Sequence, residues 1–217
     1  MKIIILGPPG AGKGTQAEII SKKYGIPHLS VGEIFRENIR RRTELGLKVQ
    51  KYVESGELVP DEIVIKLTIR KLMESCGTFG GYVLDGYPRT LKQAEVLDKS
   101  EVAPEIILSI KVSEDECVRR LSNRRYCTKC GATYNLIFKP PKKDEICDLC
   151  GAKLIQREDD KEEVIRNRFR EYYLKTKPVL QYYRRTGKLF EINGEGTIDE
   201  VTHRMMEVLK SIITQNL

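Results

Sequence analysis

Met1-Lys2-Ile3-Ile4-Ile5-Leu6-Gly7-Pro8-Pro9-Gly10-Ala11-Gly12-Lys13-Gly14-Thr15 opens the chain and decides its fold. The apolar run Ile3 to Leu6 predicts a strand buried on both faces. Glycines at 7, 10 and 12 follow, and Thr15-Gln16-Ala17-Glu18-Ile19-Ile20 predicts a helix. Gly7, four residues, Gly12 and Lys13 form a phosphate-loop pattern. In such a loop the glycines let backbone N–H groups curl around an anion, and the following helix presents its positive dipole end. A glycine-rich turn with no ligand is the bland alternative, but strand, loop, lysine and helix in this order predict a nucleoside triphosphate site. One departure narrows the class: the common pattern has Ser or Thr directly after the lysine, whereas here Gly14 intervenes before Thr15.

Outward from that loop, the chain alternates strands and helices. A short second strand is expected within 25–30, where His28 reads as structural, and helical spacing over 31–59 predicts a small inserted helix pair punctuated by Gly32, Gly46 and Gly56. Pro60-Asp61-Glu62 suits a helix start. Tyr82-Val83-Leu84-Asp85 predicts a strand delivering Asp85 to the carboxyl edge of a sheet, where a carboxylate holds magnesium through its waters; a helix-capping Asp is the alternative. Another buried strand is expected over 106–112, then a Ser113/Glu116 capping box and a helix on which Arg120 and Arg124 share a face. A second cap at Asp160 with Glu163 predicts a helix carrying Arg168 towards Thr176, stopped or bent by Pro178. A last strand over 189–192 and a closing helix over 201–213 complete an α/β fold with a parallel sheet of five strands flanked by helices.

Cys127-Thr128-Lys129-Cys130-Gly131 and Cys147-Asp148-Leu149-Cys150-Gly151 form two Cys-x-x-Cys knuckles sixteen residues apart. Four thiolates at this spacing suit a closed, structural zinc site, with iron the competing metal and two disulfides the alternative. Cys76 and Cys117 fall outside the pattern and read as buried thiols.

Composition bounds the rest. At 217 residues the chain can bury one core carrying inserts, and 40% hydrophobic with 32% charged residues describes a globular protein. No run approaches the roughly 18 apolar residues of a membrane span, and a strand rather than a leader opens the chain, so the cytoplasm is expected. The net charge of +7 suits anionic partners, nucleotide phosphates or nucleic acid.

The segments 7–17 (GPPGAGKGTQA), 84–90 (LDGYPRT) with Gln93, 124–127 (RRYC) and 156–163 (QREDDKEE) together resemble the nucleoside monophosphate kinases, adenylate kinase above all, over nearly the whole chain. The resemblance implies phosphoryl transfer from magnesium-ATP to AMP, giving two ADP, under a closing lid and nucleotide-monophosphate flap. It implies a core of 1–29, 60–123 and 162–217, an acceptor-binding insert of 30–59 and a zinc-bearing lid of 124–161. Gly10, Ala11, Gly12, Lys13, Gly14 and Thr15 would hold the ATP phosphates, with Arg124, Thr133 and Tyr134 from the lid and Gly196 beside the base. Arg36 and Arg89 would grip the AMP phosphate. Val31, Glu57, Leu58 and Val59 would line the AMP pocket, Gly86, Tyr87, Pro88 and Arg89 its far wall, and Gln93 would bond adenine. Arg157 and Arg168, from the lid's exit and the helix behind it, would be catalytic and bind AMP, while Arg120 would join Lys13 around the moving group and Asp85 would serve magnesium. Nucleic-acid and membrane partners are not implied, and a monomer is expected. Two departures stand out: Val31 replaces the family's common Thr after Ser30, removing a hydroxyl near the acceptor base, and Glu33 stands where Asp is commoner. A UMP/CMP-type kinase remains a rival, opposed by Gln93. A zinc-ribbon nucleic-acid-binding ATPase, to which Lys139, Lys142 and Lys143 would contribute, is a rival of another class.

Overall fold

The computed structural model describes residues 1–215. In chain order its elements are β1 (Lys2–Leu6), α1 (Lys13–Tyr24), β2 (His28–Ser30), α2 (Val31–Arg40), α3 (Glu44–Ser55), α4 (Asp61–Phe79), β3 (Tyr82–Asp85), α5 (Leu91–Asp98), β4 (Ile106–Lys111), α6 (Glu114–Ser122), β5 (Arg124–Cys127), β6 (Thr133–Asn135), β7 (Leu154–Ile155), α7 (Glu162–Glu171), α8 (Lys177–Arg185), β8 (Leu189–Asn193) and α9 (Ile198–Gln215). A 3₁₀ turn spans Glu158–Asp160, and a π turn, Tyr172–Thr176, joins α7 to α8.

Five parallel strands form the main sheet in the order β2-β3-β1-β4-β8. The isoleucine run explains the central place of β1. Ile3, Ile4 and Ile5 are fully buried because helices cover both faces. Alternation along the strand sends Ile3 and Ile5 into a layer with α1, α6, α7 and α9, and Ile4 and Leu6 into a layer with α2 to α5 and α8. With β3 on one side of β1 and β4 on the other, the strand order splits at β1, and a crevice opens at the carboxyl ends.

Several local expectations fail for identifiable reasons. Glu116 turns its carboxylate to Arg119 and Arg120 at 3.1 and 2.9 Å, so no capping box forms with Ser113, because charged guanidinium donors outcompete a neutral amide. Arg124 does not share a helix with Arg120. The helix α6 ends at Ser122, where the Asn135 side chain bonds Arg120 O and Leu136 N bonds Asn123 O, and Arg124 opens β5. Asp160 is not a helix cap: it lies in the 3₁₀ turn with its carboxylate on two arginines, and Lys161 caps α7. Pro178 sits in the first turn of α8, where its missing N–H costs nothing, so the helical rod continues past it. Helices α5 and α8 and a small antiparallel sheet, β6-β5-β7, were not anticipated. Gly46 is no punctuation either, since it lies inside α3, where a Cβ would come within 2.1 Å of Asn38 O on α2. The closing helix is longer than expected, and Cys117 is buried while Cys76 is only half-buried.

Candidate active site

The phosphate loop runs from β1 to α1. Gly10 and Gly12 have φ of +84° and +90°, conformations that side chains with a Cβ rarely adopt. At Gly10 a Cβ would strike the Cys117 carbonyl at 2.6 Å, so α6 packs directly on the loop, whereas the space beside Gly12 is open. Lys13 folds back along the loop, donating to Gly7 O at 2.9 Å and Pro8 O at 2.7 Å. Burial, and then the nearby charges of Arg89 and Arg168, lower its pKa to about 8, although Asp85 pulls the other way.

A cleft of about 760 Å³ extends from this loop between α2–α3 on one side and β5–β7 on the other. Gly10, Ala11, Gly12, Lys13, Gly14 and Thr15 line its floor, and Arg36, Arg89, Arg124, Arg157 and Arg168 converge on it from five separate elements or loops. Carboxylates hold four of these guanidiniums in place. Glu33 binds Arg36 at 2.8 Å and Arg157 at 2.7 Å. Asp159 lies 3.5 Å from Arg36 and 3.3 Å from Arg168. Asp160 takes Arg124 with both oxygens, at 2.7 and 2.5 Å, and Arg168 at 3.1 Å. Burial works against the charge of Asp159, yet the surrounding arginines outweigh it and bring its carboxyl down to about 2.

Arg89 differs from the other four. Its Nε donates to Gly86 O at 3.0 Å, and no carboxylate pairs with it among the described residues. Burial and the neighbouring Arg168 cation lower its pKa to about 10. Its backbone is held at both ends: N donates to Gln93 Oε1 at 2.7 Å, and O accepts from Thr176 Oγ1 at 3.1 Å.

Asp85 ends β3 beside Gly14, with Oδ2 3.4 Å from His28 Nε2. Burial would raise its pKa, but His28 and Lys13 hold it near 2, so the carboxylate is charged. His28 therefore has a direct place in the site, which periodicity alone did not reveal.

Arg120 lines the same cleft as Lys13; it donates to Glu116 at 2.9 Å and Gly194 O at 3.0 Å, approaches Gly196 O at 3.5 Å, and stacks on Phe138 at 5.4 Å. Val31, Glu57, Leu58, Val59, Gly86, Gln93, Thr133, Tyr134 and Gly196 all line the cleft. Tyr134 also belongs to the small sheet's core, where its hydroxyl accepts from Asp148 N at 2.9 Å. Tyr87 and Pro88 do not reach the main cleft; they line a pocket of about 50 Å³ behind the phosphate loop. The residues that motif reasoning missed are Glu33 as a partner of Arg157, Asp159, Asp160 and Arg40, which donates from α2 to Thr128 O, just after β5, at 2.7 Å.

Above the cleft, Cys127, Cys130, Cys147 and Cys150 bring their four sulfurs within 4.8 Å of one another. The pairs Cys127–Cys150 at 3.4 Å and Cys130–Cys147 at 3.5 Å are far outside a disulfide bond. They lie near the roughly 3.8 Å edge of a tetrahedron with 2.3 Å metal–sulfur bonds. Burial disfavours the Cys147 thiolate, yet the Tyr134 hydroxyl and the Leu149 and Cys150 amides outweigh it and bring the thiol down to about 6. This donor set fits a soft or borderline metal ion.

Comparison with known proteins agrees with this geometry. A family model described as adenylate kinase matches residues 5–188. The chain is 46% identical to an adenylate kinase of Caldicellulosiruptor saccharolyticus over 98% of this chain and 99% of that one. It is 47% identical to that of Archaeoglobus fulgidus, over 98% and 99%, and 48% identical to that of Lachnospira eligens, over 96% and 100%. With its phosphate loop, its ring of arginines and this near full-length similarity, the chain belongs to the adenylate kinase family.

Proposed function

We propose that the chain transfers the terminal phosphoryl group of magnesium-ATP to AMP, reversibly, giving two ADP. The observation that carries the reading is the convergence of Lys13 and five arginines on one cleft, with Arg89 left without a carboxylate partner among the described residues. Phosphoryl transfer asks for this arrangement: two nucleotides in line, positive charge around the equatorial oxygens, and water kept out. Guanidinium forks suit it because they bind phosphate oxygens in pairs.

In this reading Gly10 to Thr15 cradle the ATP phosphates and Lys13 swings from the Gly7 and Pro8 carbonyls onto the β- and γ-oxygens. Arg36 and Arg89 take the AMP phosphate, while Arg124, Arg157 and Arg168 gather charge around the transferred group. Arg120, with Phe138 and the Gly194–Gly196 carbonyls, serves the adenine end of the ATP site, a role its position supports better than one beside Lys13. Magnesium, when bound, neutralises charge on the β- and γ-phosphates, and Asp85 is the charged carboxylate placed to orient its waters. Zinc is the metal we assign to the four cysteines, in a structural role, since all four positions are filled by protein.

We divide the chain into a core of 1–29, 60–123 and 162–217, an acceptor-binding insert of 30–59 and a lid of 124–161. The direct contacts between insert and lid, Arg157 to Glu33, Arg36 to Asp159 and Arg40 to Thr128, support closure over the nucleotides and exclusion of water.

The test is transfer from magnesium-ATP to AMP, UMP, CMP, GMP and dAMP with a no-acceptor control. ADP from both nucleotides with AMP, and almost none without acceptor, is the expected result. A pyrimidine preference would move the acceptor assignment, and acceptor-independent hydrolysis would overturn the reading.

A further inference from the structure

Gln93 is 2% exposed yet reaches the cleft wall. Both ends of its side-chain amide are already engaged on the protein side. Nε2 donates to Asp61 Oδ1 at 2.7 Å, and Oε1 accepts from the Arg89 backbone N–H at 2.7 Å. A carboxylate only accepts and a backbone N–H only donates, so the two partners agree on which end of the amide is oxygen. Asp61 is itself fixed, because Thr90 Oγ1 lies 3.1 Å from each of its carboxylate oxygens. Asp61 is not among the residues that line the cleft.

We propose that Asp61 is a specificity-determining residue, which acts through Gln93 by locking its amide in the orientation that reads a 6-aminopurine and rejects a 6-oxopurine. The inference rests on the reading of Gln93 as the residue that meets the acceptor base. A glutamine amide has two N–H groups and two oxygen lone pairs. Asp61 and Arg89 each use one, leaving one donor and one acceptor in a fixed order. Adenine presents the complement, an N6 donor beside an N1 acceptor. Hypoxanthine and guanine present the reverse, an O6 acceptor beside an N1–H donor. An unrestrained glutamine would meet them by rotating half a turn about its last torsion. Here that rotation sets Oε1 against the Asp61 carboxylate and Nε2 against the Arg89 N–H, two repulsive contacts in a buried setting. The 6-oxopurine is therefore left with unpaired groups, which is the strong form of discrimination. Val31, which brings no hydroxyl to this pocket, leaves more of the discrimination to the locked amide.

The experiment measures kcat and KM for AMP and IMP, which differ only at the N1–C6 edge. The proteins are wild type, Asp61→Asn, Asp61→Ser, Gln93→Ala and Glu62→Gln. Glu62 is exposed and also lies in the first turn of α4, so Glu62→Gln controls for lost charge at that helix end. Wild type is expected to prefer AMP. Asparagine or serine at 61 can act as donor or acceptor, so the ratio of kcat/KM for AMP over IMP should fall by about tenfold or more. The fall should come from a higher KM for AMP and a lower KM for IMP, with kcat for AMP little changed. Glu62→Gln should leave the ratio intact. A ratio unchanged in both folded Asp61 variants while Gln93→Ala collapses it would overturn the role of Asp61 and keep that of Gln93. A ratio untouched by Gln93→Ala would overturn the reading of Gln93 and the inference with it. An equal fall in Glu62→Gln would assign the effect to helix charge and overturn the proposal as well.

Discussion

Asp160→Asn tests whether the arginine ring is held by its carboxylates. Asparagine keeps the shape of aspartate but removes the charge and turns one acceptor into a donor. The side chain it replaces is fully buried and takes Arg124 at 2.7 and 2.5 Å and Arg168 at 3.1 Å. Breaking a buried ion pair from one side costs about 3–5 kcal/mol when the orphaned charge stays buried. Both cations here have some relief. Arg168 keeps Asp159 O at 2.8 Å and the Asp159 carboxylate at 3.3 Å, and the Arg124 side chain is 20% exposed. The expected cost is therefore about 2 kcal/mol, the scale of a charged hydrogen bond. At roughly 2–4 °C per kcal/mol for a protein of this size, the melting temperature should drop by about 4–8 °C. Thermal unfolding of the metal-loaded protein without nucleotide measures this, with the exposed Asp144→Asn as the charge control. Displaced guanidiniums should also lower kcat by about ten- to a hundredfold, while KM changes less. A drop below about 1 °C, or an equal drop in Asp144→Asn, would refute the assignment of the ring's rigidity to this carboxylate.

Lys13 gives a pH signature. Its folded pKa of about 8 lies below the 10.5 of a free lysine, so the unfolded chain binds more protons between these values. The penalty is full below pH 8 and is relieved as pH rises to 10.5, so this group makes stability rise across that window. Phosphates bound at the loop restore the ammonium, and magnesium-ATP binding followed by calorimetry in two buffers should take up a proton at pH 9 but little at pH 7; equal uptake at both would exclude Lys13 as the source. Chelation of the cysteine-bound metal should lower melting temperature more than turnover at mild temperature. Loss of turnover with an intact fold would contradict a structural metal. Val31→Thr, at a 4% exposed position in the cleft wall, restores one hydroxyl. About 1 kcal/mol, or roughly fivefold lower KM for AMP, is expected, and an unchanged KM would remove that argument.

The parts of the site that the sequence discloses are the parts with local periodicity or spacing. Ile3 to Leu6, the glycines of the loop and the paired cysteines each carry their meaning within a few residues, and the structure places them accordingly. What stayed hidden is pairing over distance. Glu33 meets Arg157 across 124 positions, and Arg36 meets Asp159 across 123. No hydrophobic period marks such contacts. Asp160 is misleading in part for the same reason: Asp followed three residues later by Glu looks like a cap, but Arg124, 36 positions back, and the nearer Arg168 outbid the helix amides. Arg124 misled because spacing by four is a helical signal only while the helix lasts, and Asn135 and Leu136 cap α6 first.

The central position of β1 shapes how the chain assembles during synthesis. Ile3 pairs with Val83 on one side and Ile106 on the other, and β8 joins β4 only at Leu189–Asn193. Strand β1 must wait for Tyr82–Asp85 before its first neighbour exists and for Ile106–Lys111 before its second, and the sheet is complete only once β8 has followed. The antiparallel β5–β6 pair, by contrast, joins Arg124 to Asn135 within one short excursion. Loop-closure entropy therefore favours the β5–β6 hairpin as a local unit and leaves the full five-stranded sheet to close later. An emerging chain closes its cysteine-bearing sheet within one excursion, whereas the complete cleft needs both the loop that precedes that sheet and the residues that follow it, Arg168 and Gly196 among them.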